Sequence, residues 1–77
     1  MIRARLLVEL PSARFRVKAS QGRTPIVGDV IQLDQGFTSA DGVPMVLGYC
    51  TTDSGELLYE AEIYESELGP NLASDSL

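Results

Sequence analysis

Odd and even positions of this chain diverge in character from the second residue onward. Ile2, Ala4, Leu6, Val8 and Leu10 share one parity, while Arg3, Arg5, Leu7 and Glu9 share the other. A two-residue period of this kind predicts a half-buried strand over 2–10 with a polar outer face. Pro11-Ser12 interrupts it, because proline has no amide hydrogen to give a ladder and favours turns. Alternation resumes with Phe15, Val17 and Ala19 inward and Arg14, Arg16 and Lys18 outward. That predicts a second strand over 13–19, forming a hairpin with the first.

Ser20 to Pro25 is a polar connection containing Gly22, and Gly28-Asp29 marks a tight turn into a third strand through Val30, Ile31 and Leu33. From Asp34 to Val43 the glycines and Asp41 predict a loop, closed by Pro44. Met45 to Thr52 is rich in β-prone residues and predicts a fourth strand, with Gly48 as a bulge. Asp53-Ser54-Gly55 predicts a hairpin turn. A fifth strand follows over 56–64, with Leu57, Tyr59, Ala61 and Ile63 inward and Leu58, Glu60, Glu62 and Tyr64 outward. Glutamate, leucine and alanine also favour helix over 57–68, but the strict alternation and the turn before it favour the strand. Glu65 to Leu68 predicts one short helical or 3₁₀ turn, and Gly69 onward a flexible tail.

The expectation is a single all-β domain over residues 1–68 with a disordered C-terminal tail over 69–77. Five short strands joined by tight turns predict a small barrel or a pair of orthogonal antiparallel sheets. The stretch Pro25-Ile26-Val27-Gly28-Asp29-Val30-Ile31-Gln32-Leu33 resembles small SH3-like barrels, in which a proline and a Gly-Asp turn lead into a strand and a short turn joins the last strands. The likeness is one of layout over about 50 residues. It implies an interaction module rather than a reaction, and it assigns no functional residue.

Size and composition narrow the chemistry. A chain of 77 residues has room for one thin core, and domains this small lean on disulfides, metals or self-association. Cys50 is the only cysteine and there is no histidine, so an internal disulfide is excluded, and one thiolate does not build a tetrahedral nitrogen–sulfur zinc site. Good packing or a homo-oligomer remains. The lone cysteine, the broken apolar run at Leu6-Leu7-Val8 and the lack of a long apolar segment predict a cytoplasmic protein with no membrane association.

Charge changes the picture further. The net charge is −5, yet all six bases (Arg3, Arg5, Arg14, Arg16, Lys18, Arg23) fall in the first 23 residues, where Glu9 is the only acid. Residues 24–77 hold the other ten acids and no base. Such segregation has two readings. Basic and acidic strands neutralise each other in the folded sheet, or one of the two halves is a binding surface.

Catalytic chemistry finds little to use. Without histidine the commonest general base near neutral pH is missing. Glu60 and Glu62 alternate on a solvated strand face, Asp34, Asp41 and Asp53 are turn residues, and none has the spacing of a calcium loop. Gly36 to Gly42 lacks the lysine and the helix of a phosphate loop. Cys50 sits among β-formers with no neighbouring cation, which predicts a buried structural thiol. The chain is therefore expected to be no enzyme, to need no cofactor and to act by binding a protein, as an inhibitor or accessory subunit. The candidate interface is Tyr59, Glu60, Glu62 and Tyr64, carboxylates for a basic partner with aromatic anchors. The alternative is a nucleic-acid patch at Arg14, Arg16 and Lys18, set against the acidic composition and the absence of stacking aromatics on those strands.

Overall fold

A computed structural model describes residues 2–72. They form β1 (Ile2–Leu6), β2 (Phe15–Val17), β3 (Val30–Thr38), β4 (Pro44–Thr51), β5 (Leu57–Tyr64) and β6 (Leu68–Asn71). Short 3₁₀ turns at Ser12–Arg14 and Glu65–Glu67 lead into β2 and β6. All six strands belong to one antiparallel sheet in the order β2-β5-β4-β3-β1-β6. The all-β class stands, and no described helix is long and apolar enough to cross a membrane.

The five-stranded barrel and the pair of orthogonal sheets are both corrected. There are six strands, and no ladder joins the edges β2 and β6 among the described residues, so the sheet is open. It nevertheless curls. Leu6 on β1 shares one buried cluster with Tyr59, Ala61 and Ile63 on β5, although β3 and β4 lie between them.

The predicted N-terminal hairpin does not form. β1 ends at Leu6 and pairs with β3 and β6, while β2 pairs with β5 at the opposite edge. Leu10 keeps its buried place without being in a strand, but Val8, Val17 and Ala19, expected inward, are exposed. Alternation placed Ala4, Leu6 and Leu10 in the core correctly but not Val8, Val17 or Ala19, and it did not record which strand lies alongside.

Half of the predicted loop over 34–43 is strand as well. β3 runs on to Thr38, and only Ser39 to Val43 turn the chain into β4. Gly48 lies flat in the ladder between Leu33 and Ala61. The irregularities fall between Leu33 and Gln35 and between Cys50 and Thr51. Glycine serves a different purpose at 48, because a Cβ there would collide with the Ile31 Cγ2 methyl.

β5 follows its predicted parity except at Leu58, expected outward, which packs against the core cluster beside the irregularity opposite Cys50 and Thr51. Tyr59, Ala61 and Ile63 are buried, Leu57 is half-buried, and the helix alternative is not formed. At Gly55 the turn into β5 takes φ 90°, a left-handed conformation that favours glycine. The tail boundary moves, because Gly69, Pro70 and Asn71 belong to β6. The rest of that expectation, residues 73–77, lies outside the described residues.

Candidate functional site

Strand register assembles the outer face of the sheet. Arg3, Gln32, Tyr49, Glu60 and Arg16 stand side by side across β1, β3, β4, β5 and β2. Gln32 donates to Thr51 Oγ1 at 2.9 Å and the Tyr49 hydroxyl donates to Asp34 Oδ2 at 3.0 Å. The hydrogen bond to Asp34 holds the Tyr49 hydroxyl above its ordinary pKa. Arg16 and Glu60 meet at 3.6 Å, with the arginine side chain 86% exposed.

The predicted interface residues separate. Tyr59 is 0% exposed and belongs to the core, so it is no surface anchor. Glu60, Glu62 and Tyr64 share the outer face of β5, with Glu62 the most open. Tyr64 lies beneath the Arg14 guanidinium, 4.6 Å from its ring centroid.

The predicted basic patch separates too. Arg14 makes a two-pronged pair with Glu67, Nη1 to Oε1 at 2.8 Å and Nη2 to Oε2 at 2.9 Å. It also donates to the Glu62 carbonyl at 3.1 Å. The Glu67 carboxylate accepts a further hydrogen bond from the Tyr64 N–H at 3.0 Å. Its pKa is lowered chiefly by the Arg14 hydrogen bonds, against a smaller opposing effect of burial. Arg14 thereby ties the two 3₁₀ turns together. Arg16 faces Glu60, and Lys18 is exposed just beyond β2, where its backbone N–H donates to the Leu58 carbonyl.

A second polar cluster, around Arg23 and Asp29, was not singled out by the sequence. Arg23 grips Asp29 through two hydrogen bonds of 2.9 Å, and the Tyr59 hydroxyl donates to Asp29 Oδ2 at 2.6 Å. The Ile26 N–H adds a fourth at 2.9 Å. Burial pushes the Asp29 carboxyl upward, but these donors outweigh it and hold the pKa below the ordinary range. Burial, with the hydrogen bond to Asp29, raises Tyr59. Cys50 is buried nearby, its thiol likewise pushed up by burial. This cluster pins the long connection from β2 to β3 onto the core. The only local sequence signal for it was a base and an acid six residues apart on either side of the turn formers Pro25 and Gly28.

Of three depressions among the described residues, one of about 310 Å³ is lined by Gln35, Phe37, Leu47 and Glu62, and two others remain. One, of about 240 Å³, lies between Arg14 and Arg16 on one side and Glu60 and Glu62 on the other. Its acids face its bases, so its charge is matched internally. The other, of about 440 Å³, opens on the inner face of the sheet. Ile2, Ala4, Leu33, Val46 and Leu68 give it an apolar floor, and Asp34 and Glu65 stand among its walls. Ile2 has the inward parity of its strand yet is 54% exposed, because the sheet opens there and nothing described covers it. Among the described residues no base lines this cleft. Nor do any three cysteine, aspartate or glutamate side chains among them come together as a metal-binding group.

Comparison with protein-family models, curated proteins and solved structures finds no match to this chain.

Proposed function

We propose that this chain is a small protein-binding module of SH3-like layout that acts by binding alone, and that its partner enters the inner-face cleft. The observation that carries this reading is the apolar floor left open at the end of the core. Elsewhere the inner face is closed over Leu6, Ile31, Tyr59 and Ile63, each essentially inaccessible. An exposed apolar surface rimmed by polar groups is characteristic of a binding groove. The Gly28–Asp29 turn leading into β3, and the short 3₁₀ turn joining β5 to β6, support the SH3-like layout. The candidate interface on β5 is less favoured, since Tyr59 supplies no surface and Tyr64 is covered by Arg14. The nucleic-acid alternative is less favoured as well, because Arg14 and Arg16 already face carboxylates.

The test is a library of random linear peptides panned against the folded domain. The expected result is enrichment of ligands whose affinity falls at least about tenfold, a change of about 1.4 kcal/mol, in Ile2→Glu. That residue is exposed enough to take a charge without unfolding the sheet. Ligands indifferent to Ile2→Glu, or no enrichment, would refute the reading.

A further inference from the structure

β3 is longer than the strand that covers it. It spans Val30–Thr38, β1 pairs only with Val30 to Leu33, and β4 lies along the other edge as far as Thr38. Among the described residues nothing pairs with the β1-side edge of 34–38. Ladder alternation says which groups are left over. The Ser39 N–H donates to the Val43 carbonyl at 2.9 Å. Counting back, Phe37/Met45 and Gln35/Leu47 are the hydrogen-bonded pairs, and Gly36/Val46 and Thr38/Pro44 are not. Pro44, with no N–H to give, fits that assignment. The N–H and C=O of Gly36 and Thr38 therefore point away from β4, along the rim of the cleft.

Exposed edges are templates for another strand, and folded proteins normally blunt them. β6 carries Pro70, and β2 is only three residues long. The free part of β3 carries neither device beyond the irregularity at Asp34. We infer that this edge accepts one further strand, an extended segment of a partner protein that pairs with 34–38, sends alternate apolar side chains into the cleft and carries lysine or arginine beside them. The inference rests on the cleft being the binding site, and adds the conformation and chemistry of what enters it.

Charge selects the occupant. Glu65 lines the cleft, Asp34 stands at its edge with its carboxylate accepting from the outer-face Tyr49 hydroxyl, and Asp41 lies in the β3–β4 turn, with no described base in the cleft wall to offset them. A second copy of this chain would bring the same carboxylates and its own net charge of −5 against them. A basic segment is attracted instead. Strand addition draws affinity from main-chain hydrogen bonds and specificity from pockets for alternate side chains, and edge and cleft supply one each. Five residues of added strand span about 17 Å.

The probe is a synthetic peptide of about seven residues alternating valine and lysine, long enough to cover the edge. On binding, hydrogen exchange at the Gly36 and Thr38 amides should slow at least tenfold. Methylating the peptide nitrogens that face β3 should abolish binding, and methylating the intervening ones should not. Thr38→Pro, which removes an outward N–H and none that β4 receives, should weaken binding about tenfold. Binding with unchanged exchange at Gly36 and Thr38 would overturn strand addition while leaving the cleft as the site. So would peptides from the random library that depend on Ile2 while the alternating peptide fails to bind. Protection of the two amides that appears with rising protein concentration and no peptide would assign the edge to self-pairing, and would overturn the inference.

Discussion

At the scale of single residues, the sequence divides its six bases from most of its acids, and the fold brings some of them back together with unequal effect. Arg14 and Glu67 are about equally sheltered, with side chains 18% and 17% exposed, and meet through two short hydrogen bonds. Arg16 and Glu60 are solvated and further apart. Arg14→Ala should therefore cost about 2 kcal/mol of unfolding free energy, and Arg16→Ala less than about 0.5 kcal/mol, measured by urea denaturation. Equal costs would contradict this account. The folded domain also holds the carboxyls of Asp29 and Glu67 below their ordinary values. Their stabilisation is complete above the unfolded carboxyl range near ~4 and is lost as pH falls through the lower folded values. Stability measured from pH 5 downward should decline, and Asp29→Asn should flatten that decline while lowering stability at neutral pH. An undiminished acid slope in the Asp29→Asn variant would mean that Asp29 contributes nothing to it. The parity of Tyr59 was legible in the sequence, but its role was not. An alternating strand says that position 59 faces inward, and nothing local says that its hydroxyl meets an aspartate from a turn 30 positions earlier.

At the scale of elements, alternation located β1 and β5, β-prone composition located β4, and the turn residues located the bends between β2 and β3 and before β5. Pairing was not legible, because β1 and β2 carry the same pattern while lying at different places in the sheet. The far half of β3 was missed for a physical reason. Residues 34–38 are exposed throughout, so neither face of that arm demands apolar side chains and no period appears. β6 was missed because Gly69 and Pro70 read as loop formers, although an edge strand tolerates proline. Gly48 gives a sharper check of the packing. A methyl group there meets Ile31 and Ile63 in the core. Gly48→Ala should destabilise by about 1–3 kcal/mol despite the better strand propensity of alanine over glycine. Unchanged or raised stability would show that Ile31 and Ile63 leave more room above position 48 than described.

At the scale of the whole molecule, a chain of 77 residues builds one curled sheet whose core is closed at the Tyr59 end and open at the Ile2 end. The closed end is secured by Arg23, Asp29 and Tyr59, and the outer face by Arg14, Glu67 and Tyr64. Of the residues that a sequence reading offers to partners, Tyr59, Tyr64, Arg14 and Arg16 are engaged within the molecule. The open end consists of ordinary apolar residues, and their exposure follows from strand lengths that no local pattern encodes. The class of fold was thus legible and the site was not. The most direct measurement is a nitrogen-15 chemical-shift map of the folded domain titrated with a peptide selected from the random library. Resonances of Ile2, Asp34, Gly36 and Leu68 should move together with one dissociation constant, while those of Glu60, Glu62 and Tyr64 stay in place. Movement at Glu60, Glu62 and Tyr64, with the cleft residues unmoved, would contradict the account and return the interface to the outer face of β5.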